Sequence, residues 1–121
     1  MTTLTTEEAD NIATIDAFIA AWNAKDGAKA VSYLANDFRF TFGKIGHAPE
    51  FTQPDFAAMM ELATSVDMAV TPGMTWARGP VVSHERVDDI QFRDGTKAEG
   101  KFIAVFTLRN GRIVDCIDFE I

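Results

Sequence analysis

Cysteine is nearly absent from this sequence. Cys116 stands alone among 121 residues, which excludes an internal disulfide and suits a reducing compartment. Histidine is almost as sparse. His47, His84 and Cys116 are too widely spaced for a zinc motif, so no metal and no cofactor are expected. Positive charge is in the minority: 11 Lys and Arg stand against 18 Asp and Glu, a net charge of −7. A phosphate-binding face needs the opposite balance, so no nucleic-acid partner is expected. No apolar run approaches the ~20 residues of a membrane span, so no membrane partner is expected. Met1-Thr2-Thr3-Leu4 lacks the basic-then-apolar start of a secretion signal, which points to the cytoplasm. Repeats and low-complexity segments are missing too. What remains is 47% hydrophobic and 24% charged, the balance of one ordinary globular domain spanning 1–121 around a single core.

The first half of the chain reads as helical. Thr5-Thr6-Glu7-Glu8 forms a capping box, with Thr5 as cap and Glu8 reaching back. Behind it Ile12, Ile15, Phe18, Ile19 and Trp22 recur at three- and four-residue steps, an apolar stripe on a helix over 6–24. Core packing is the first reading of Phe18 and Trp22; lining a pocket is the second. Asp26-Gly27 starts a short second helix with Ala28, Val31 and Leu34 inside, closed by Asn36-Asp37. The strict alternation of 37–43 predicts a strand with Phe38, Phe40 and Phe42 on one face. A loop containing His47 follows. Thr52-Gln53-Pro54-Asp55 then opens a third helix over 53–66, whose stripe includes Phe56, Met59 and Met60.

From Asp67 onward the pattern is β. One strand, or two joined through a bulge, covers 67–78. Val81 to Ile90 is the strand around which the chain is organised, bounded by Gly79-Pro80 and Asp94-Gly95. Lys97 to Leu108 follows, with Phe102, Ala104, Phe106 and Leu108 on one face. Asn110-Gly111 is a tight-hairpin signal, and Arg112 to Ile121 is the last strand. Helices that precede a meander, rather than alternate with its strands, define an α+β fold, a curved antiparallel sheet wrapped on three N-terminal helices.

The charges carry the chemistry. Alternation puts Val82, His84, Arg86, Asp88 and Ile90 on one side of the organising strand. On the last strand it groups Val114, Cys116, Asp118 and Glu120. If the two groups share the concave face, Asp88 and Asp118 flank one guanidinium, whose five donors can hold both carboxylates. Unequal environments would let one acid keep its proton while the other is ionised, as acid–base chemistry at neutral pH requires. A structural ion network, or plain solvated charges, fits the same alternation.

The order helix, short helix, strand, helix, meander resembles the nuclear-transport-factor-2-like, or SnoaL-like, superfamily, which implies a cone-shaped, strongly curved antiparallel sheet wrapped around the N-terminal helices. Glu85-Arg86-Val87-Asp88, together with Ala104-Val105-Phe106, Gly111-Arg112-Ile113 and Asp118, resembles limonene-1,2-epoxide hydrolases. That resemblance implies hydration of a small hydrophobic epoxide, with Asp118 as base, Arg86 as bridge and Asp88 as acid. The chain lacks the Trp-Arg before that aspartate and the Tyr after it. It also has Phe40 and Phe42 where those hydrolases hold their water with Tyr and Asn. His84 is a polar group on the right face to replace them, whereas Thr41 points the other way. The implied pocket binds substrate through Phe40, Phe42, Met59, Met60, His84, Phe102, Phe106 and Cys116. A SnoaL-type polyketide cyclase or isomerase using Asp118, and a non-catalytic binder of an apolar ligand, are the rival readings. Ile103, Val105, Ile117, Phe119 and Ile121 face away from the pocket, and a homodimer through that face is expected.

Overall fold

The computed structural model describes residues 3–43, 50–52 and 67–121. Its elements are helices α1 (Thr6–Asn23) and α2 (Gly27–Ser32) and strands β1 (Leu34–Gly43), β2 (Glu50–Thr52), β3 (Asp67–Arg78), β4 (Val81–Gln91), β5 (Lys97–Arg109) and β6 (Arg112–Glu120). The expected third helix, the loop with His47, and Met59 and Met60 lie outside the described residues. Among those described, no helix is long and apolar enough to cross a membrane.

Helix α1 begins where the capping box places it. The Thr5 hydroxyl accepts from the Glu8 amide at 3.1 Å, and the Thr5 amide donates to Glu8 Oε1 at 2.8 Å. Glu8 does more than cap: its Oε2 accepts the Gly79 amide at 2.8 Å, tying the helix start to the β3–β4 turn. At the other end Asn23 clasps Val70 through two bonds of 2.8 and 2.7 Å, mimicking a strand neighbour of β3. Between these two ties the stripe Ile15, Phe18, Ile19, Trp22 is buried against the sheet. Helix α2 is shorter than the sequence suggests. Ala30 is its buried residue, Ala28 is exposed, and Leu34 already belongs to β1. Asn36 and Asp37 therefore sit inside a strand rather than closing a helix. Helical spacing could not reveal this, because Leu34 fits both the helical stripe and the strand alternation that follows.

The sheet runs β2-β1-β6-β5-β4-β3. From β3 to β6 every neighbouring pair is antiparallel, as the meander requires. The β1–β6 pair is parallel, so the curved sheet is mixed rather than wholly antiparallel. Parallel neighbours need a long crossover, and the whole chain between β1 and β6 supplies it. Strand β3 is continuous through an irregularity between Pro72 and Thr75. Asn110 and Gly111 both take positive φ, 53° and 76°, in the two-residue turn their pairing predicts.

Alternation holds on β4, where Val82, His84, Arg86 and Asp88 are buried while Glu85 and Asp89 are exposed. It slips once on β6. A register shift between Thr107 and Leu108 sets Thr107 opposite Asp115 but Leu108 opposite Ile113. Ile113 is thus buried and Val114 is not, the reverse of the sequence expectation; Cys116 and Asp118 keep their inward phase. Glu120, expected on the same face, is exposed near the strand end. On the outer face Ile103, Phe119 and Ile121 are exposed and Val105 and Ile117 half-buried.

Candidate active site

The site is built where β4 and β6 carry their inward charges. Arg86, Asp88 and Asp118 are 4%, 4% and 3% exposed. Arg86 Nε donates to Asp88 Oδ1 at 2.9 Å. Its other two nitrogens form a fork on Asp118, Nη2 to Oδ2 at 2.5 Å and Nη1 to Oδ1 at 3.4 Å. One guanidinium therefore holds both acids. The Cys116 thiol donates to Asp118 Oδ1 at 3.5 Å. Among the described residues Asp118 receives three donors and Asp88 one, so the two carboxyl groups are unequally solvated by them.

Burial acts on the network as well. Two ionised carboxylates around one guanidinium leave an excess negative charge in a dry interior, which is costly. Burial pushes the Asp88 pKa above its ordinary value, outweighing the pull of Arg86 in the other direction. Burial alone would lower the Arg86 pKa, but Asp118 and Asp88 reverse this and keep the guanidinium charged. Burial and then the Asp118 carboxylate push the Cys116 thiol well up, so it remains a donor.

Phe102 supports the arrangement from below. Arg86 lies over its ring, 5.1 Å from guanidinium carbon to centroid, in cation–π contact. The ring reaches that position by folding across Gly100, opposite Asp88 on β5. A Cβ at Gly100 would stand 2.6 Å from the Phe102 ring, so glycine here makes room for the platform.

A small cavity of about 10 Å³ opens beside Arg86 and Asp118, lined also by Phe18, Trp22, Phe38, Phe40, Phe106, Ile113 and Cys116. That is space for roughly one water molecule. Of the sequence-derived site residues, Arg86, Asp118, Phe40, Phe106 and Cys116 meet here. Asp88 stands behind Arg86, Phe102 beneath it, and His84 beside Phe106 with ring centroids 5.1 Å apart. Met59, Met60 and the Phe42 side chain lie outside the described residues. Phe18 and Trp22, read first as core, form one wall, with rings edge-to-face at 5.9 Å. Phe38 and Ile113 were absent from the expected lining. Phe38 shares its phase with Phe40, a signal that was present, whereas Ile113 enters only through the β6 register shift.

The chain belongs to the SnoaL-like domain family, whose pattern matches residues 15–116. Among solved structures it resembles an LEH-like epoxide hydrolase from M. tuberculosis, with a TM-score of 0.81, 20% identity, and coverage of 95% of this chain and 85% of that one. A putative polyketide cyclase from Xanthomonas campestris pv. campestris gives 0.81 at 17% identity, covering 94% and 92%. The BvnE pinacolase from Penicillium brevicompactum gives 0.83 at 13%, covering 98% and 88%. At such identities the likeness is one of fold, here nuclear-transport-factor-2-like. No curated protein matches the sequence.

Proposed function

We propose that this protein hydrates a small hydrophobic epoxide by one-step general acid–base catalysis. The observation that carries the reading is the single buried guanidinium bonded to both Asp88 and Asp118. In this scheme Asp118 is the base. A carboxylate has about four acceptor positions, and three donors leave one to take a proton from water. The water oxygen attacks an epoxide carbon, the carbon–oxygen bond breaks, and the alkoxide takes the proton held on Asp88. Arg86 stays charged throughout and fixes the separation of the two acids. The product is a diol, and solvent returns the proton from Asp118 to Asp88. Each proton transfer contributes ~10²–10⁴-fold.

One observation favours a second reading. Phe40 on the wall facing Asp118 offers no hydrogen bond to an attacking water. A SnoaL-type cyclisation or isomerisation needs no added water, because the proton comes from the substrate's own carbon or oxygen. The descriptions carried by the solved neighbours, hydrolase, cyclase and pinacolase, span both readings.

Turnover of an epoxide panel in ¹⁸O water decides between them. Hydration is expected to give singly labelled diol, and Asp118→Asn is expected to lower the rate ~10²–10⁴-fold with an unchanged circular dichroism spectrum. Absence of diol with wild type, or full activity in Asp118→Asn, rejects hydration by this site.

A further inference from the structure

His84 is 1% exposed, and neither ring nitrogen has a hydrogen-bond partner among the described residues. Buried polar groups are almost always satisfied, and an unsatisfied one calls for an explanation. A neutral imidazole carries one donor and one acceptor. Burial and then the Arg86 charge lower the His84 pKa to about 4, so the ring is neutral near pH 7 and cannot repel the guanidinium beside it.

The sheet register says where this group stands. His84 pairs with Ala104, and Ala104 pairs with Asp118, so the three form one row across β4, β5 and β6. All three side chains are buried on the concave face. Two strand spacings separate His84 from Asp118, about 10 Å between backbones. In the sheet, Ala104 is the one residue between them in that row. Along β4, by contrast, His84 and Asp88 are four residues apart, about 13 Å at strand rise. One substrate oxygen therefore cannot meet both Asp88 and His84.

We infer that His84 is a substrate contact, hydrogen-bonding a second oxygen of the bound molecule across Ala104 from Asp118. This rests on the proposed reading only in taking Asp118 as the reacting end. It narrows the substrate class to an apolar molecule that carries a hydroxyl or carbonyl in addition to the reacting oxygen. A plain hydrocarbon epoxide leaves His84 unsatisfied and binds more weakly.

The test uses unreactive probes, cyclohexanol and cyclohexane-1,4-diol, followed by ¹⁵N NMR of the imidazole. A His47→Gln chain leaves His84 as the one histidine and gives its assignment. The expected result is a His84 shift with the diol that exceeds the shift with cyclohexanol, and about tenfold tighter binding of the diol. His84→Leu is expected to abolish the preference and to raise the unfolding midpoint, since it removes two unsatisfied nitrogens; His84→Gln should restore part of the preference. Equal shifts or none with the two alcohols overturn the inference. The wild-type-like spectrum decides even if His84→Leu fails to fold. A protein that shows the diol shift but makes no diol from epoxides loses the hydration reading and keeps this one. Hydration of an epoxide that carries a second oxygen, with unchanged kcat/KM in His84→Leu, does the reverse.

Discussion

Two walls face each other across the small cavity, and they are built from opposite chemistries. The β4–β6 wall holds Arg86 and Asp118, with Asp88 behind, every charge tied to another by hydrogen bonds. The α1–β1 wall holds Phe18, Trp22, Phe38 and Phe40, whose side chains offer a single polar group, the Trp22 indole N–H. The first wall can move protons. The second can shape and dry the space but does little to orient a water. In the proposed reading the sheet supplies the acid–base groups and, through His84, one polar contact, while the aromatic wall contributes shape. This division also concentrates the energetic cost of the site on one side, so substitutions on the two walls should differ in kind.

The largest effect should come from breaking the charged wall at its centre. Arg86→Ala leaves two buried carboxyl groups without a cation, and removing one partner of a buried ion network costs about 3–5 kcal/mol. A denaturant titration is expected to show a loss of that size together with loss of activity. Adding Asp118→Asn to Arg86→Ala should recover part of the stability. If Arg86→Ala unfolds at the wild-type midpoint, the network holds far less free energy than its burial implies.

Asp88 sharpens the same comparison with a smaller change. Its folded pKa is raised above the ordinary 3.8, chiefly by burial. The folded chain therefore holds this proton more tightly than the unfolded chain. Stability contributed by Asp88 is present below the unfolded pKa and is lost as pH rises through the folded one. Asp88→Asn should remove that loss, so its stability should fall less than wild type's from pH 4 upward, while activity disappears with the acid. A parallel pH profile of unfolding midpoints for the two chains would show instead that Asp88 is ionised at little cost.

Much of the charged wall is legible in the sequence, and much less of the aromatic one. Arg86 and Asp88 share a face by simple alternation, and β4 has no irregularity to disturb it. Asp118 falls in phase because the β6 register shift lies before it, between Thr107 and Leu108 on the paired strand. That shift exchanges Ile113 for Val114, and no residue type in the sequence announces it. The parallel β1–β6 pairing joins residues more than seventy positions apart, so no local pattern encodes it. Phe18 and Trp22 read first as core because a helix stripe looks the same whether it faces side chains or a cavity. His84 was visible as an inward polar residue, but its lack of hydrogen-bond partners among the described residues is a property of three dimensions.

The smallest expected effect tests the aromatic wall directly. Phe40 is buried, lines the cavity with Asp118, and pairs through its backbone with Cys116 on β6. Phe40→Tyr adds one hydroxyl to a wall whose polar capacity is otherwise one indole. If hydration is the reaction and water placement limits it, a second hydrogen bond on the water should raise kcat about tenfold, the equivalent of ~1.4 kcal/mol in the barrier. The added atom enters a tight space, so stability should fall by about 1–3 kcal/mol, the usual cost of overpacking. The two effects separate cleanly, since one is read in turnover and the other in the unfolding midpoint. If the reaction takes its proton from the substrate, as in a cyclisation or isomerisation, the hydroxyl has no water to hold. Phe40→Tyr should then lose stability with no gain in rate, and the apolar wall would be a requirement of the chemistry rather than a gap in it.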